Sequence, residues 1–184
     1  MKLFPAFLDL AGVPVLLVGG GAVALRRGRA LAGSGARLTV VAPEVRPELV
    51  ALAERSEPRR YQPGDARGMR LVVAATNDPA VNDAVAAEAR TVGAWVNHAG
   101  RAEAGDLQVG ALIERGEVSL AVHSGRALPL LAQALGDRLR AALPDHYPLD
   151  EWARRREAAL TLAQAPREAA LNALRADIRA WVGA

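Results

Sequence analysis

Apolar positions fall into short dense runs over roughly the first hundred residues and into helical stripes over the remainder. Val13–Val18 is too short and too β-branched for a buried helix, and it predicts a central parallel strand. Val23–Leu31 has helical apolar spacing and stops at Gly33 and Gly35. Arg37–Ala42 predicts a second strand ending at Pro43, Glu48–Glu54 a helix, Arg59–Gln62 a short strand, and Leu71–Ala75 a buried strand. Asp78 as N-cap and Pro79 in the first turn open a helix to about Val92, which Gly93 ends. Trp95–Asn97 predicts a fifth short strand, and 98–106 a polar loop. Strands alternating with helices imply an α/β fold with a Rossmann-like parallel sheet over 1–106.

The pattern then changes. Leu107–Ile113 and Glu117–His123 flank Gly116 and predict a hairpin. Leu128, Leu131, Leu135, Leu139 and Ala142 form one helical stripe, and Leu171, Leu174, Ile178 and Trp181 another. Pro144 and Pro148 precede a middle helix beginning near Asp150, and Pro166 opens the last. Three short amphipathic helices bury little alone, so they are expected to close over the hairpin or across a dimer interface. The resulting division is 1–106 for the Rossmann-like domain, 107–143 for a hairpin-and-helix dimerisation region, and 144–184 for a C-terminal helical region.

Candidate chemistry begins where the first strand ends. Gly19, Gly21 and Ala24 reproduce G-x-G-x-x-G/A: a tight turn, a backbone open to a pyrophosphate, and close packing of the next helix. The following helix N-terminus favours an anion. The acid that usually grips a ribose hydroxyl after the second strand is replaced by Ala42 and Pro43, with Glu44 two positions late. Backbone groups there are left to hold the adenosine end, and Arg46 leaves the phosphorylated dinucleotide open. Ligands of doubly wound sheets lie beyond the strand ends, which places Thr76 and Asn77 beside the cofactor.

With no cysteine, disulfides, thiolate metal sites and a cysteine nucleophile are excluded, any metal is left to His, Asp, Glu or the substrate, and no residues are assigned as metal ligands. No apolar run is long enough for a membrane span, and the start, MKLFPAFLDL, is unlike a signal peptide, so a cytoplasmic protein without a membrane partner is expected. The net charge is +3, and Lys2 is the single lysine among otherwise arginine cations. These arginines are interspersed with acids and lack an aromatic platform, which speaks against a nucleic-acid partner. Guanidinium forks lining a cleft suit a polycarboxylate instead. His98 in the cleft loop is a candidate for proton transfer. His123 before Ser124-Gly125 is placed to meet a substrate, and Arg126 to bind a substrate carboxylate at the following helix N-terminus.

The order FPAFLDL, VLLVGGGAVALRR, GARLTVVAP, LVVAATNDPAVN, WVN and AVHSG closely resembles the siroheme synthase amino-terminal module, precorrin-2 dehydrogenase with or without sirohydrochlorin ferrochelatase activity. The likeness spans roughly residues 3 to 143. It implies NAD-dependent oxidation of precorrin-2 to sirohydrochlorin on a homodimer, with ferrous iron as a further substrate in members that chelate. Gly19, Gly21, Ala22 and Val23 match the family's phosphate-contacting turn, Pro43 its adenosine-side loop, and Thr76 and Asn77 the segment flanking nicotinamide. Asn97 matches the first residue of the N-x-x-D motif, but Gly100 stands where the family's general acid or base is an aspartate. Asp106 and His98 are the candidate replacements, His123 is a further catalytic candidate, and Asn97, Ser124 and Arg126 are the candidate substrate contacts. A protein that binds NAD and a tetrapyrrole without turnover is the alternative this gap leaves open.

Overall fold

The computed structural model describes residues 3–125 and 128–183. Strands β1 (Pro14–Val18), β2 (Arg37–Val41), β3 (Arg55–Glu57), β4 (Leu71–Ala74) and β5 (Trp95–His98) form a parallel sheet in the order β3-β2-β1-β4-β5. Successive residues of a strand face opposite sides, and here both sides are covered. Leu16, Val18, Val72 and Val96 pack with Val85, Ala86 and Ala89 of helix α3 (Pro79–Thr91). Val15, Leu17, Leu38 and Val40 pack with Ala24 and Leu25 of α1 (Ala22–Gly33) and Leu49 of α2 (Pro47–Val50). This is why the β1 run is continuously apolar rather than alternating.

Two expected elements differ. The helix expected over Glu48–Glu54 is a single turn, Pro47–Val50, because the chain returns to the sheet early: Glu54 N–H donates to Leu38 O, and Arg55–Glu57 pairs with Thr39–Val41. The strand lies there and not at Arg59–Gln62. That segment is an irregular loop, tied by the two 2.8 Å hydrogen bonds from Arg59 to the Asp65 carboxylate and by the Gln62 N–H to the same carboxylate. Asp78 caps α3 as expected, accepting from Ala80 and Val81 N–H.

The hairpin strands are β6 (Ala111–Arg115) and β7 (Val118–Val122). Residues 107–110 stay outside it, since Leu107 N–H instead donates to Val96 O. Three helices follow: α4 (Pro129–Ala142), α5 (Leu149–Leu160) and α6 (Gln164–Val182), with Pro166 inside the first turn of α6 rather than opening it. The chain forms two compact units, 1–111 with 123–132, and 112–122 with 133–184. In the second, Trp181 packs on Tyr147 and edge-on against Trp152, and Arg155 pairs with Asp177 at 2.5 Å. Among the described residues no helix is long and apolar enough to cross a membrane.

Candidate functional site

An open cleft of about 1130 Å³ lies beyond the carboxyl ends of the parallel strands, where the chain order switches between β1 and β4. Its floor is the turn after β1. Gly19 has φ +129°, and a Cβ there would stand 2.3 Å from Ala75 O. A Cβ on Gly20 would stand 1.8 Å from Glu44 O. Gly21 differs: an added Cβ meets nothing within 4 Å and would occupy the cleft itself. Two glycines are therefore needed by the protein's own packing, while the third leaves open space at the cleft. No side chain caps α1, and Ala22 and Val23 of its first turn line the cleft, so the positive end of the helix dipole is available there.

The wall after β4 is fixed by a residue the sequence reading missed. Asn82 in α3 is 3% exposed; its Oδ1 accepts from the Thr76 N–H at 3.0 Å and from the Thr76 hydroxyl at 2.8 Å, while its Nδ2 donates to Thr76 O at 3.0 Å. One buried amide thus satisfies both backbone groups of the residue that turns the chain across the cleft. The available signal was a polar residue on the buried helical face that also carries Val85, Ala86 and Ala89.

The opposite wall, after β2 and β3, carries Ala42, Pro43, Glu44, Arg46, Arg60 and Tyr61. The Tyr61 hydroxyl bonds to the Glu88 carboxylate, and burial, followed by that carboxylate, pushes the phenol well above its usual range. All seven expected cofactor residues, Gly19, Gly21, Ala22, Val23, Pro43, Thr76 and Asn77, line this one cleft.

The proton-transfer candidates are placed differently. His98 is 3% exposed and does not line the cleft. Its Nδ1 accepts the Arg101 N–H at 2.9 Å, which puts the proton on Nε2, 3.2 Å from Asp83 Oδ1. Arg101 also pairs with Asp83, whose carboxyl is held below the usual range chiefly by that guanidinium and secondarily by His98. His98 therefore braces the loop to α3 with both ring nitrogens engaged. His123 is likewise engaged: Nδ1 accepts the Gly125 N–H at 3.0 Å, and Nε2 bonds to Gln108 Oε1 at 2.7 Å. Asp106 lies 3.5 Å from Arg90 and outside the cleft lining.

Asn97 is buried, its Nδ2 donating to Leu107 O and its Oδ1 without a partner among the described residues. Ser124 lies between His123 and Gly125, partly buried, and Arg126 lies outside the described residues. Gly100 does line the cleft; a Cβ there would make only ordinary contact with His98, at 3.6 Å. Among the described residues no three His, Asp or Glu side chains converge as a metal site.

A family model described as "Putative NAD(P)-binding" matches residues 6–111. Over 151 residues the chain is 49% identical to the siroheme synthase of Chromobacterium violaceum, covering 80% of this chain and 32% of that protein. It is 41% identical over 148 residues to siroheme synthase 2 of Aeromonas hydrophila subsp. hydrophila, covering 79% and 32%. The chain thus spans about a third of the length of these relatives. A solved structure titled "SirC, precorrin-2 dehydrogenase" superposes with a TM-score of 0.75 and 28% identity, covering 94% of this chain and 88% of that one.

Proposed function

Because this chain belongs to the NAD(P)-binding family, we propose that its cleft holds NAD and that the protein oxidises precorrin-2 to sirohydrochlorin. The observation carrying this reading is the joining of a glycine cradle and a clamped Thr76 turn in one open cleft, within a fold shared along 94% of the chain with a precorrin-2 dehydrogenase. When bound, the nicotinamide supplies the acceptor for a hydride, and a proton leaves the substrate separately. The chain's own part is orientation. Gly21 and the α1 N-terminus seat the pyrophosphate, Thr76 and Asn77 flank the nicotinamide, and Ser124 and Arg126 meet the tetrapyrrole, while the buried Asn97 holds the chain at Leu107. The engaged nitrogens of His98 favour a bracing role, and Asp106 stands outside the cleft lining beside Arg90, so the proton passes to water. The protein acts in the cytoplasm and as a homodimer, the second reading supported by the leucines that α4 leaves exposed.

The test is anaerobic incubation of the purified protein with precorrin-2 and NAD. NADH and sirohydrochlorin are expected to appear in equal amounts. Binding of both ligands without product would replace the enzyme by a non-catalytic binding protein. A Gly100→Asp variant, sterically free at that position, is expected to accelerate iron or cobalt insertion into sirohydrochlorin; an unchanged rate would show that the glycine is not what limits chelation.

A further inference from the structure

The cleft is electrostatically uneven, and the unevenness lies at the adenosine end. Arg46 follows β2 and Arg60 follows β3, both on the β2 side of the switch point and both lining the cleft. Neighbouring arginines are spoken for: Arg37 pairs with Glu54, Arg55 with Glu57, and Arg59 with Asp65 and Glu57. Glu88 of α3, the acid that meets Tyr61, is taken by the Tyr61 hydroxyl and the Gly64 N–H. Among the described residues neither the Arg46 nor the Arg60 guanidinium has a hydrogen bond or an ion pair, so on the β2 side two uncommitted cations accompany one lining carboxylate, Glu44, while the cleft's other carboxylate, Asp78, follows β4 and caps α3. The carboxylate that would repel a phosphate on the ribose is replaced by Ala42 and Pro43 at the end of β2.

We propose that this cleft accepts the 2′-phosphorylated dinucleotide, NADP, alongside NAD, with Arg46 and Arg60 holding the 2′-phosphate. The inference rests on the reading of the cleft as a dinucleotide site and adds a specificity that the reading does not contain. Guanidinium is suited to the task because its planar donors match phosphate oxygens in pairs and its charge persists at every working pH.

The experiment is equilibrium titration of the intact protein with NAD and with NADP at one ionic strength, repeated on the Arg46→Ala/Arg60→Ala double variant. The wild-type affinity for NADP is expected to be no more than about fivefold below that for NAD, and the NADP-to-NAD affinity ratio to fall about tenfold in the variant. Competition by 2′,5′-ADP against 5′-ADP should show the same fall, which separates the phosphate from the nicotinamide. A wild-type NADP affinity weaker than that limit, or a ratio that falls less than threefold, overturns the proposal and leaves the dinucleotide site standing. Failure of both dinucleotides to bind overturns the underlying reading and this one with it.

Discussion

Gly19 and Gly21 are two positions apart, yet the cleft assigns them opposite sensitivities. At Gly19 the left-handed φ and the approach of Ala75 O both oppose a side chain, so Gly19→Ala is expected to cost about 3 kcal/mol or more of stability. At Gly21, where φ is −84° and a methyl meets no protein atom, Gly21→Ala is expected to change stability by less than about 1 kcal/mol. The same methyl stands where the pyrophosphate is expected, so dinucleotide affinity should fall by about tenfold or more. Thermal unfolding and titration of both variants check the pair; equal destabilisation, or unimpaired binding by Gly21→Ala, would contradict the division of labour. These glycines were legible in the sequence because what matters is a missing Cβ, and a sequence displays that directly. His98 and His123 were less legible. Imidazole chemistry is visible in a sequence, but the backbone N–H that occupies each Nδ1 is supplied by the fold.

At the scale of elements, the cleft depends on α3 being bolted to the end of β4. Three hydrogen bonds between Asn82 and Thr76 do this, and Asn82→Ala leaves the Thr76 N–H and C=O without their protein partner in a half-buried turn. A loss of about 1–2 kcal/mol in stability is expected from half-buried groups of this kind, which water satisfies in part. Dinucleotide KM should rise more than kcat falls, because the turn positions the cofactor without touching reacting atoms. An Asn82→Ala protein with wild-type KM, assayed below its unfolding temperature, would reduce the clamp to a packing detail. Strands β1, β2, β4 and β5 and helix α3 were legible because their apolar runs and the Asp78-Pro79 start each have a local cause. The region between β2 and β4 was not. Its strand, Arg55–Glu57, is polar and gains its place only by pairing with Thr39–Val41, while the more strand-like Arg59–Gln62 is held in a loop by Asp65.

For the whole molecule, the telling feature is an apolar face that a single chain leaves uncovered. Leu131, Leu135 and Leu139, spaced for one side of α4, and Leu128 just before its first residue are 42%, 42%, 38% and 50% exposed. The sequence left two covers open for this stripe, the hairpin or a second copy, because periodicity reports that a face needs cover and says nothing of which surface supplies it. Contiguous exposed leucines of this kind mark an association surface, and a two-fold dimer covers such a face with its own copy. The protein is therefore expected to sediment as a dimer at micromolar concentration, and Leu131→Asp/Leu135→Asp to sediment as a monomer, since one substituted face meets another and doubles the buried charge. Retention of dinucleotide binding by the monomer would show that the Rossmann-like unit folds without its partner. A wild-type chain that stays monomeric at every concentration would require this leucine face to be covered by something other than a second copy.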